Sequence, residues 1–199
     1  MKLLLVLIML IPAIVASATP EPLTIGDAAP DFALTDINGI MHKLSDFKGK
    51  TVVLEWINVG CPFVVGHYAN GNMPKLQKKY TDEGVVWLTI NSTRPDHPEA
   101  HTAAECKTIF ANWHSDATAH LMDESRTVGR LYDAKTTPHM FIIPSDGKIA
   151  YQGAIDDDRS TSGGANAKVN YVAQALDELK AGKPVSISNT KSYGCSVKY

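Results

Sequence analysis

Between residues 51 and 57, and again between 84 and 91, nearly every position is apolar or β-branched. Such runs, bounded by glycine and polar residues, predict strands buried on both faces of a sheet. Upstream, residues 25–34 and 40–44 flank the polar Asp36-Ile37-Asn38-Gly39, the pattern of a hairpin with a glycine-containing turn. Residues 45–50 read as a brief helical turn. After Cys61, Val64, Val65 and Tyr68 mark a helix that breaks at Asn70-Gly71-Asn72 and resumes from Met73 to Tyr80. Residues 98–113 predict a helix, 119–123 a short strand, and 124–132 a further short helix. Residues 136–144 and 148–153 form two strands joined by a turn at Gly147. A polar loop at 156–164 leads to an amphipathic helix over 168–181, with Val169, Val172, Ala173, Leu176 and Leu179 on one face. Gly182 and Pro184 stop it. The tail from Val185 shows no helical period and is expected to be extended. Strands alternating with helices, then a hairpin and a last helix, imply an α/β domain: a central mixed sheet flanked by helices, with an N-terminal hairpin extension.

The first buried strand ends in Asn58-Val59-Gly60 and delivers Cys61-Pro62 to the start of a helix. Proline suits the first helical turn, where its missing N–H costs nothing. A thiol in that place meets unpaired N–H groups and the positive end of the helix dipole, both of which favour thiolate. The competing reading is a buried structural cysteine. The break, the Cys-Pro pair and the helix together favour a reactive one.

The chain opens with one lysine, an apolar run and Ala16-Ser17-Ala18. This is the pattern of a secretory signal peptide over residues 1–18, cleaved after Ala18, with one domain from 19 to 199. Pro12 and a run shorter than the roughly 18 apolar residues of a spanning helix argue against a retained anchor. The expected product is exported, periplasmic or extracellular, and free of the membrane after cleavage. A formal net charge of −2 gives no reason to expect nucleic acid or an anionic membrane surface as a partner. Three cysteines are too few for a disulfide scaffold, and their odd number leaves one thiol free or paired outside the chain.

Gly26-Asp27-Ala28-Ala29-Pro30-Asp31-Phe32, Leu44-Ser45-Asp46-Phe47, the strand ending at Cys61, Thr137-Pro138 and Asp146-Gly147 resemble the thioredoxin-like superfamily. More narrowly, they resemble its redoxin (AhpC/TSA-type) group. Cys61-Pro62-Phe63-Val64, Thr137-Pro138-His139-Met140 and Tyr193-Gly194-Cys195 are similar to a peroxiredoxin-like branch of that group. The resemblance implies a thioredoxin-like fold with Cys61 as redox-active nucleophile. It also implies a cis Thr137–Pro138 bond packed against Cys61 and offering backbone to a docked substrate. Glu55 falls where thioredoxins keep a buried carboxylate that handles protons. A carboxyl in an apolar strand should have a raised pKa and fit that role, while a salt bridge at a strand end is the alternative.

Two places depart from the related patterns. Val64 stands where thioredoxins have a second cysteine, and Leu54 and Asn58 stand where peroxiredoxins have proline and a hydroxyl residue. Cys195, in a tail that could fold back over the domain, is the better internal candidate to resolve a mixed disulfide, with fixation by packing or pairing with another chain as the alternatives. Cys106 reads as core. The reading is a thiol–disulfide oxidoreductase without cofactor, acting on thiol or disulfide proteins and supplied by a thiol donor. The rivals are a slow thiol peroxidase using Cys61 and a non-catalytic module holding a soft metal such as copper(I). His97 and His101 lack a third ligand for a metal site, and Asp156-Asp157-Asp158 does not have EF-hand spacing. His67 and His139 are expected near Cys61, as thiolate stabilisers or as packing. Arg126 or Arg130 could lend charge there.

Overall fold

The computed structural model describes residues 22–199; the expected signal peptide lies outside them. A seven-stranded sheet runs β2(Met41–Lys43), β1(Ala33–Asp36), β5(Ala119–Met122), β4(Val86–Asn91), β3(Val52–Trp56), β7(His139–Ile143), β8(Tyr151–Gly153) across its width. The centre is parallel, with β3 against β4 and β4 against β5, and the flanks are antiparallel. The expected hairpin is present as β1 and β2. It is no appendage, because β1 continues the main sheet against β5 through Thr35 and Met122.

Period-two alternation along β3 assigns its residues to two cores. Val53 and, just past the strand, Ile57 face the helices α1(Pro62–Ala69), α2(Asn72–Asp82), α3(Ala103–Asn112) and α5(Tyr171–Lys180). Val52, Leu54 and Trp56 face the other way, onto Phe32, Leu44, Val128 and Tyr132. Val128 belongs to the short helix α4(Thr127–Leu131). Both faces of β3 and β4 are thus covered, which is why the sequence there runs apolar without strict alternation.

Several boundaries move inward from the sequence pattern. Residues 98–101 do not join α3. Instead Thr102 caps it, its hydroxyl accepting from the Glu105 N–H while Glu105 reaches back to the Thr102 N–H. Helix α5 begins after the cap Asn170, whose side chain accepts from the Ala173 N–H. The tail holds one more element, β9(Cys195–Ser196), which pairs antiparallel with β6(Thr136–Thr137) in a separate two-stranded ribbon.

Candidate active site

Cys61 is placed by the turn that ends β3. The Asn58 carbonyl accepts from the Cys61 N–H at 3.0 Å, and Asn58 Oδ1 accepts from the Gly60 N–H at 2.7 Å. Asn58 Nδ2 donates to Thr93 Oγ1 at 2.8 Å and to the Glu99 carbonyl. The side chain is thereby committed to holding the loop. Cys61 then sits at the N-cap of α1 with Pro62 at the first helical position, as the sequence suggests.

The Thr137–Pro138 bond is cis, and the Cys61 thiol donates to the Thr137 carbonyl at 3.0 Å. β9 lies against the same backbone, Cys195 opposite Thr137 and Ser196 opposite Thr136. Gly194 makes this approach possible. Its φ is +124°, and a Cβ there would stand 2.1 Å from the Thr137 carbonyl oxygen. The tail then closes with the Val197 N–H on the Lys135 carbonyl, the Arg94 N–H on the Lys198 carbonyl, and the Tyr199 hydroxyl on the Ala134 carbonyl.

Cys61 has no exposed surface, whereas Cys195 is half-buried; both thiols are free. Burial alone pushes the Cys61 thiol up, but the groups that face its sulfur, the Cys195 thiol, the Thr137 hydroxyl and the Val64 N–H, favour the thiolate and outweigh this, so its pKa is lowered. Thr137 Oγ1 is buried and unpartnered while Cys61 is a thiol, so the hydroxyl is available to a thiolate. Cys195 is driven the opposite way, to about 12, by burial and then by its link to Cys61, with Glu99 adding and Lys198 opposing. The two sulfurs share one site with unequal acidities: Cys61 ionises first, and Cys195 stays a thiol that donates to it.

Glu55 lies within β3, fully buried, and among the described residues it forms no salt bridge, so the salt-bridge alternative is not what the structure has. Its carboxylate accepts from Trp87 Nε1 at 2.7 Å, Gln77 Nε2 at 3.1 Å and the Tyr68 hydroxyl at 3.1 Å. Burial raises its pKa to about 7 against these three donors. None of its hydrogen bonds goes to Cys61. The network runs instead through Gln77 Oε1 to the Ser115 hydroxyl and the Asp116 N–H.

The other sequence candidates separate. Cys106 is core, its pKa pushed up to about 11 by burial. His139 is buried and kept neutral, near 4, and its Nδ1 accepts from the Lys135 N–H, so it orients the loop before Thr136. Arg130 stacks over the Tyr199 ring and Arg126 donates to the Ser125 carbonyl. His67 hydrogen-bonds Tyr193 at 3.0 Å, not the sulfur. The Tyr193 hydroxyl donates to Asp156 Oδ1 at 2.6 Å, a pair whose one signal in the sequence is the nearness of Tyr193 to Cys195. Asp158 accepts from Ser160, Ser162 and the Asn166 N–H, so donors of its own loop occupy it. Among the described residues, no three or more His, Cys, Asp or Glu side chains gather where they could hold a metal ion.

The pattern of the AhpC/TSA family matches residues 25–152. The thiol-disulfide oxidoreductase ResA of Bacillus thuringiensis is 27% identical over 68% of this chain and 72% of its own length. The thioredoxin-like protein YneN of Bacillus subtilis is 29% identical over 62% and 68%. Among solved structures, an uncharacterized conserved protein from Geobacillus kaustophilus shares 30% identity and a TM-score of 0.79, covering 88% of this chain and 92% of that one. A putative thiol:disulfide interchange protein DsbE from Chlorobium tepidum shares 29% identity over 65% and 84%, with a TM-score of 0.52. Family pattern, sheet order and the cis Thr137–Pro138 bond beside a helix-capping cysteine agree: the chain belongs to the AhpC/TSA family of the thioredoxin-like superfamily.

Proposed function

We propose that the protein is an exported thiol–disulfide oxidoreductase in which Cys61 is the nucleophile and Cys195 the resolving thiol. The observation that carries this is the pairing of β9 with β6, which sets Cys195 opposite Thr137, against whose carbonyl the Cys61 thiol lies. The names of ResA and DsbE supply the reaction class.

Cys61 thiolate attacks one sulfur of a substrate disulfide. A Cys61–substrate S–S bond forms as the substrate bond breaks, and the other substrate sulfur leaves as thiolate. Cys61 then carries no charge, so its link no longer holds Cys195 in the protonated state. Cys195 thiolate attacks Cys61 Sγ, closing a Cys61–Cys195 bridge and releasing the second substrate thiolate. One substrate disulfide is reduced, two protein thiols are oxidised, and their two protons pass to the products. An outside thiol donor reopens the bridge. Glu55, able to hold or release a proton near neutrality, is the proton-handling carboxyl on the same face of the sheet as Cys61.

Non-reducing peptide mapping of the purified protein tests this. Oxidation should produce a Cys61–Cys195 peptide pair that dithiothreitol opens. Cys61→Ser should abolish turnover, and Cys195→Ser should accumulate the mixed disulfide. Cys61 remaining free after oxidation sinks the two-cysteine cycle.

A peroxidase reading is favoured by one feature, the complete burial of Cys61. A small peroxide would oxidise the thiolate to sulfenic acid, releasing water, and Cys195 would condense with it, releasing a second water. Asn58, spent on the loop, leaves that reading without a side-chain donor at that position, so slow rates are expected.

A further inference from the structure

Resting on the two-cysteine reading, we infer that β9 is an internal stand-in for a substrate strand, held on the docking backbone by a buried latch centred on Tyr193. A protein disulfide that needs Thr136–Thr137 must therefore displace the whole tail strand, whereas a small reagent needs only a local opening over the buried Cys61.

The backbone of Thr136 and Thr137 is the edge that a docking strand would use, and Ser196 and Cys195 already occupy it. The occupant presents a sulfur beside Cys61, as a docked disulfide would. Beyond the closing contacts of Val197, Lys198 and Tyr199, its buried side-chain grip on the domain comes from two residues earlier. The Tyr193 hydroxyl donates to Asp156 Oδ1 at 2.6 Å and pairs with His67 Nε2 at 3.0 Å. Asn72 Nδ2 lies 2.8 Å from His67 Nδ1. With Asn72 donating to Nδ1, His67 is the Nε2–H tautomer and donates to Tyr193, which in turn donates to Asp156. The chain of donors runs in one direction from α2 through α1 and the tail to the acidic loop. The ring also packs against Phe63 of α1. The loop at the far end is fixed on α1, because a Cβ on Gly163 would stand 2.1 Å from the Gly66 carbonyl oxygen. Phe63, Gly66 and His67 all belong to the helix that Cys61 caps. The latch therefore ties the resolving strand to the same helix that carries the nucleophile. Tyr193 is a positioning residue: it acts through Cys195.

Tyr193→Phe keeps the ring and removes the hydroxyl. The test compares two thiol reagents on the reduced full-length protein, with the modified cysteine assigned by peptide mapping. Iodoacetamide is the small probe, and a maleimide carried on polyethylene glycol is the bulky one. The bulky reagent should label Cys61 about tenfold faster or more in Tyr193→Phe, the loss expected for a buried hydrogen bond to a charged acceptor. Iodoacetamide should change far less, and Cys106 should stay unlabelled in both proteins. Equal acceleration of both reagents, or none, overturns the latch. Should Tyr193→Phe loosen the whole fold and expose Cys106, hydrogen exchange in the wild-type protein decides. The Val197 amide must exchange faster than the amides of β3, and equal protection rejects a displaceable tail. Neither readout requires catalysis, so a failed Cys61–Cys195 bridge and a failed latch are told apart.

Discussion

Cys61 and Glu55 show how position within the same buried face sets opposite protonation habits. Cys61 sits at a helix start among donors, and its thiol is made more acidic despite burial. Glu55 also has donors, but complete burial outweighs them and raises its pKa to about 7. Unfolding returns Glu55 to its ordinary range, so between about pH 4.5 and 7 the native state holds the extra proton. Stability from this group is therefore lost as pH rises through that window, by roughly 3 kcal/mol in all. In Glu55→Gln that loss should vanish, so the urea midpoint of the variant should gain on the wild type between pH 5 and 8. Oxidoreductase turnover should fall and lose its inflection near neutrality. A variant with an unchanged pH profile would remove Glu55 from proton handling. The position of Glu55 was legible because a lone carboxylate in an apolar strand stands out. The Tyr68–Gln77–Trp87 cage was not, since its members are distant in sequence and each is an ordinary core or helix residue.

Among the elements, the buried strands were the most legible and β9 the least. Apolar runs such as 52–56 and 86–91 declare themselves, whereas a two-residue strand has no period to detect. Its clue was Gly194, whose significance appears only with the Thr137 carbonyl in view. Gly194→Ala should force β9 away from β6, because the added carbon has no room and the backbone there disfavours an L side chain. The Cys61–Cys195 bridge should become easier to reduce, by a factor of about ten or more if roughly 1–3 kcal/mol of pairing is lost. Redox titration against glutathione measures this; an unchanged midpoint would show that the ribbon does not set bridge stability. The start of α3 was a different kind of miss. Pro98 resembles a helix opener, but the reciprocal Thr102–Glu105 cap lies deeper in the sequence and wins. At Asp156-Asp157-Asp158 a polar loop is the expectation, and hydroxyls and N–H groups of that loop occupy Asp158.

At the level of the whole molecule, one helix-covered sheet carries Cys61 just past the end of β3, and β9 of the tail lies beside it on the Thr137 backbone. Among the described residues no helix is long and apolar enough to cross a membrane. The export reading makes its own demand: mass spectrometry of the protein recovered from the periplasm or medium should give an N-terminus at Thr19. Full-length protein retained in cells would contradict it. The fold class was readable because the order of motifs, more than any one of them, matches the family. The tail lies outside the matched residues 25–152, and its path could be learned only from its contacts.

The closing contacts of the tail run to the last residue, Tyr199, whose hydroxyl is anchored on Ala134. This has a consequence for the order of events during synthesis. Synthesis makes Cys61 well before the strand that shields it, so a new chain carries the Cys61 thiol uncovered until β9 is in place. Any oxidant or stray thiol present in that interval meets a Cys61 that the finished fold hides completely.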